Sequence, residues 1–164
     1  MTVNLPRVAH EHHERLMHHV EEMPAVGKLM LTAPMKDLKP RLAEMDAWLT
    51  GLLIPHMEAA EATLYPELDR MLQDPHSMTP MRREHDEIRR LVADYSRLLK
   101  GLGDEQPHVG RTLALRRVLF RLYALLEIHL VEEEVFIPIV NHGVTDDASE
   151  VLAAALTHSG IPEG

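Results

Sequence analysis

The sequence predicts an all-α fold built as a bundle of four amphipathic helices. Three observations lead there. Apolar residues recur at spacings of three and four almost everywhere, alternating strand-type patterns are missing, and most connections between the periodic stretches are short. The 164 residues suffice for one domain with a real core.

The first helix is expected over residues 6–23, stopped by Pro24, with His13, Leu16 and Val20 along one face. The second is expected to begin near Asp37, with Pro40 in its first turn, and to continue to about Leu72. Its stripe is Leu42, Met45, Leu49, Leu52 and His56. The intervening residues 24–36 form the one longer connection, with room for some helix. The third helix follows "DPHSMTP", where Thr79 suits an N-cap and Pro80 the first helical position. Its stripe is Met81, His85, Ile88, Val92, Tyr95 and Leu99, and "KGLGD" ends it. The fourth helix is expected from about Pro107 to Val140, with Leu115, Leu119, Leu122, Leu126, His129, Glu133 and Phe136 inward. Residues 1–143 thus make the bundle, and residues 144–164 a tail with a short helix at 149–156.

Composition bounds the function. A net charge of -9 argues against a general nucleic-acid or anionic-membrane surface. With no cysteine, disulfides and thiolate metal sites are excluded. The N-terminal "MTVNLPRVAH" lacks a signal-peptide pattern and no apolar run has the length of a membrane span, so the expected location is cytoplasmic. There is no H-E-x-x-H motif, phosphate-binding loop or nucleophile elbow. Histidine is the anomaly: the chain has 12, five of them between His10 and His19.

One histidine falls on the inward stripe of each helix: His13, His56, His85 and His129. The chain also repeats itself, since a shift of 72 positions carries His13 onto His85, Glu61 onto Glu133 and Pro66 onto Pro138. A buried carboxylate costs several kcal/mol unless it is paired or bound to a cation. In "HLVEEEVFIP", His129 and Glu133 are four residues apart, about 40° around a helix, so both face the bundle centre. Imidazole and carboxylate without sulfur suit iron, manganese or zinc, and bundle cores with inward acids and histidines commonly hold two metals. Glu132 and Glu134 are then left facing mostly solvent or standing just behind the ligands, with Glu134 open as a ligand itself. His12 and His10 are alternatives or additions to His13, and Tyr65 is either packing or a hydrogen-bonding neighbour of the site.

"HLVEEEVFIP" and "HMEAAEATLYP", with "EHHERL" and "EHDEIRRL" upstream of each, resemble the hemerythrin-like family, the HHE cation-binding domain, over residues 8–140. The resemblance implies an up-down-up-down four-helix bundle with two iron ions, an oxo- or hydroxo-bridged non-haem centre. It maps the metal ligands onto His13, His56, Glu61, His85, His129 and Glu133. It also implies oxygen binding, oxygen or iron sensing, or the handling of peroxide or nitric oxide, without nucleic acid or membrane partners.

Two departures from the family pattern shape the expectation. The family places a glutamate four residues after the second-helix histidine, but that position is Ala60 and the acid is Glu61. Five residues put His56 and Glu61 about 140° apart on a regular helix. An inserted residue, as in a π-bulge between Pro55 and Glu61, would bring them together, with Glu58 as the fallback carboxylate. Oxygen carriers of the family add a fifth histidine, and here that position is Arg89. The expected role is therefore a di-iron centre that senses or reacts with oxygen or peroxide, with weak catalase-like turnover as one form of it. Reversible oxygen binding and a metal-free helical interaction module are the competing expectations.

Overall fold

A computed structural model describes residues 5–143, 150, 151 and 153–155. Among the described residues the chain is helical apart from short connections, with no strand. Helix α1 spans Leu5–Leu29. Residues 35–71 form one helical run, in which α2 (Met35–Trp48), α3 (Ile54–Ala59) and α4 (Tyr65–Met71) are joined by π turns at Leu49–Leu53 and Ala60–Leu64. Helix α5 spans Thr79–Lys100 and α6 spans Val109–Gly143. Helix α6 packs against α1, α4 and α5, while α2 packs against α1 and α5. No helix among the described residues is long and apolar enough to cross a membrane. In the tail, residues 150, 151 and 153–155 are helical and Ala153 is buried. Ser149, Leu152 and Leu156 of the expected tail helix lie outside the described residues.

Pro24 does not end the first helix. The apolar rhythm Leu16, Val20, Met23 continues through Val26 and Met30, all buried, so packing over one more turn offsets the hydrogen bond that proline removes. Gly27 belongs to the same face. A Cβ there would stand 2.8 Å from the Phe120 ring, so glycine permits the close approach of α1 to α6. The connection expected at residues 24–36 shrinks accordingly to the few residues between Leu29 and Met35.

Each π turn ends two residues before a proline. Ile54 N–H bonds to Leu49 O ahead of Pro55, and Tyr65 N–H bonds to Ala60 O ahead of Pro66. A proline ring in a helix clashes with the carbonyl four residues back, and a widened turn relieves the clash. The first π turn also shifts the buried stripe. Leu53 is fully buried and Leu52 only partly so, where the sequence reading had Leu52 inward.

Thr79 is not the N-cap of α5. Met78 takes that place without a side-chain cap, and Asp69 supplies the capping function from α4. Its Oδ1 accepts from Met78 N–H at 2.9 Å and Ser77 O–H at 2.6 Å, and its Oδ2 accepts from Arg82 at 2.9 Å.

The core falls into two apolar clusters separated by a polar layer. One cluster contains Leu16, Leu53, Ile88 and Leu130; the other contains Ala9, Ala60, Met81 and Ile137. Along each helical run the buried polar groups sit between members of the two. These groups are His12, His13, His56, His85, His129 and Glu133.

Candidate metal centre

Five of the six residues expected to bind metal converge in this layer. His13, His56 and Glu133 form one group able to hold an ion, and His85, His129 and Glu133 form a second; within each group the ligand atoms lie within 4.8 Å of one another. Glu133, fully buried on α6, belongs to both. Its Oε2 lies 3.0 Å from His56 Nε2 and 3.1 Å from His13 Nε2, while Oε1 faces the other way.

The outer ring nitrogens are braced. His85 Nδ1 lies 2.7 Å from Glu61 Oε1, and His129 Nδ1 lies 2.8 Å from Glu84 Oε2. Ionised carboxylates only accept, so both Nδ1 atoms carry the proton and both Nε2 atoms present a lone pair. Yet the two Nε2 atoms are 2.9 Å apart. Two lone pairs at that distance repel. Protonating a ring is one remedy, and at His85 it is opposed, because burial and the neighbouring His129 push His85 down to about 4. A cation near the two nitrogens resolves the conflict. On the opposite side His13 Nε2 meets Glu133 Oε2, while its Nδ1 is buried without a hydrogen-bond partner. The residues present therefore fit a metal by their chemistry: four buried imidazoles, one shared carboxylate and an orphaned ring nitrogen.

Glu61 stands apart from both ligand groups. The widened turn begins at Ala60, so Ala60, four residues after His56, keeps the inward position and is fully buried. Glu61 turns toward α5, where it contacts His85 Nδ1 and forms an ion pair with Arg89 at 2.8 Å. The irregular turn lies from Ala60 onward rather than between Pro55 and Glu61. The fallback Glu58 is exposed.

Tyr65 gains what Glu61 loses. Nine residues separate it from His56, about 180° on a regular helix, and one residue absorbed by the π turn reduces this to about 80°. Its hydroxyl donates to Glu133 Oε1 at 2.9 Å and lies 3.1 Å from His85 Nε2. Burial and the Glu133 carboxylate raise the Tyr65 pKa, which keeps it a neutral donor. Removing this hydroxyl leaves Glu133 with one buried bond fewer. Tyr65→Phe is expected to cost the metal-free protein about 1.5–3 kcal/mol in urea unfolding, the range for a hydrogen bond to a charged group.

His12 is also at the site, in an outer position: its Nε2 lies 3.1 Å from His56 Nδ1. His10 is half exposed and pairs with Glu134 at the protein surface. Of these outer groups, only Glu84 had no counterpart in the sequence reading. It is one position before His85, off the inward stripe, and only the packing of α5 on α6 reveals that it reaches His129.

Burial favours the neutral form of His12, His56 and His85. It lowers His12 to about 3, with His56 adding to the effect, and it lowers His56 as well. Burial alone would raise Glu133, but the adjacent His56 and His13 hold it well below the usual carboxylate range. The sign for stability follows. A histidine whose folded pKa lies below its unfolded 6.5 leaves stability intact above that pH and erodes it as pH falls toward the folded value. The metal-free protein is expected to lose roughly 1.4 kcal/mol per pH unit for each such histidine between pH 6.5 and 4. Urea midpoints at pH 7 and pH 5 check this.

A cleft of about 110 Å³ between α1 and α6, lined by His13, Met17, Leu130, Val131 and Glu134, leads to the His13 side. Larger grooves lie at Met35–Ala43 with Asp104 and along residues 101–111, sharing no residue with the centre. Comparison with family models, curated proteins and solved structures gave no match.

Proposed function

We propose that this chain is a hemerythrin-like protein with a non-haem di-iron centre that binds or reacts with small oxidants, oxygen and peroxide first among them. The observation that carries the reading is Glu133, a fully buried carboxylate shared by two histidine pairs whose ring nitrogens converge on it from four helices. An up-down-up-down four-helix bundle belongs to the same reading. It is supported by the order in which the helices cross the clusters: α1 and α5 pass from the Ala9–Met81 cluster to the Leu16–Ile88 cluster, whereas residues 35–71 and α6 run the other way.

His13, His56 and Glu133 would hold one ion, and His85, His129, Glu133 and the Tyr65 hydroxyl the other. Iron held there supplies the electron transfer that no side chain of the layer offers. The protein's own contributions are positional. Glu61 and Glu84 fix the tautomer of His85 and His129, and the Tyr65 hydroxyl orients Glu133 by donating a hydrogen bond to its Oε1. The apolar clusters above and below keep bulk water out, and a 110 Å³ cleft admits molecules of a few heavy atoms, which suits oxygen, peroxide or nitric oxide.

Addition of hydrogen peroxide to the iron-loaded chain tests the reading. Turnover with oxygen release supports an enzyme. A change in assembly or in the visible spectrum without turnover supports a sensor or binder, including reversible oxygen binding. Iron-loaded protein inert to oxygen, peroxide and nitric oxide would contradict the proposal. A second reading, a metal-free helical interaction module, is favoured by one observation: the contacts His12–His56–Glu133–Tyr65 close without a cation. It requires one of the facing His85 and His129 nitrogens to carry a proton, which burial opposes at His85.

A further inference from the structure

The two ion positions are built unequally, and the difference lies behind the ligands. At His85 and His129 both outer nitrogens meet carboxylates, Glu61 at 2.7 Å and Glu84 at 2.8 Å. The Tyr65 oxygen adds a further donor on that side, 3.1 Å from His85 Nε2. At the other position no carboxylate stands behind either histidine. His13 Nδ1 has no partner, and His56 Nδ1 meets the neutral His12, which itself has Arg15 3.4 Å away.

Two physical consequences separate the positions. A carboxylate behind an imidazole makes it a stronger donor and adds negative charge near the cation. It also admits only the tautomer with Nε2 free. His12 imposes no such choice: it can donate to His56 Nδ1, which leaves the proton on His56 Nε2, facing Glu133 and blocking the ligand atom. An ion entering there must first shift that tautomer.

Building on the metal-centre reading, we infer that the chain loads its two ions in a fixed order. The His85–His129 position fills first, and Glu84 and Glu61 are the positioning residues that set the order. Glu84 carries the larger share, because Arg89 pairs with the second oxygen of Glu61 and draws on its charge. The one-ion form would be a defined species, held by His85, His129 and Glu133.

Titration of the metal-free full chain with cobalt(II), followed by visible absorption and by proton NMR of the hyperfine-shifted imidazole N–H signals, tests this. Two steps are expected. Two exchangeable ring N–H signals, from His85 and His129, appear by the first equivalent, and further signals appear only with the second. Glu84→Gln weakens the first step by roughly 10–100-fold and Glu61→Gln by less, the usual range for such outer partners, with the second step nearly unchanged. His12→Gln changes only the second step. Circular dichroism of each variant establishes that it is folded. Uptake of both ions in one unresolved step overturns the order while leaving the metal centre standing. So does a first step that is insensitive to Glu84→Gln but weakened by His12→Gln. A folded chain that takes up no cobalt or other divalent ion overturns the metal reading itself, and the order with it.

Discussion

Metal loading is expected to raise the thermal unfolding midpoint of this chain by about 8–16 °C. An ion that binds only the folded state, at a free concentration about 1,000 times its dissociation constant, stabilises by about 4 kcal/mol. For a chain of this size each kcal/mol moves the midpoint by about 2–4 °C. Binding is expected to favour the folded state. The ligands come from α1, α3, α5 and α6, so no short segment of the unfolded chain can assemble them. Calorimetry before and after exhaustive chelation measures the shift. A chelated protein with an unchanged midpoint would mean that the polar layer is held without a cation.

Glu133→Gln is expected to have the second large effect, reducing metal content from about two ions per chain to less than one. The amide keeps the shape and can still accept from Tyr65, but it removes the single negative charge shared by both histidine pairs. Without metal the variant is expected to be as stable as the parent or more so, because a buried charge has been replaced by a neutral group that can donate toward His56. The two readouts move in opposite directions, which a general packing defect cannot do. Elemental analysis and urea unfolding of the metal-free forms together check it. A variant that still holds two ions would show that Glu133 is not the shared ligand.

Much of this centre is legible in the sequence because helical periodicity fixes direction. His13, His85, His129 and Glu133 lie on stripes with regular spacing, and their helices carry no distortion at the site. The same logic fails where the helix changes pitch. Glu61 and Tyr65 exchange roles through a π turn whose placement depends on Pro66, and the sequence marks an irregularity nearby without fixing its register. Pro24 misleads for the opposite reason: tertiary packing of Val26 and Met30 overrides a strong local stop. Groups that act across helices, such as Glu84 on His129 and His12 on His56, carry no periodic signature. Their function comes from which helices lie side by side.

Metal content is the most direct test of the central claim. Protein expressed with iron available and purified without chelators is expected to contain about two irons per chain, one for each of the two ligand groups that share Glu133. Protein that takes up no iron under any loading condition, while remaining folded, would contradict the account.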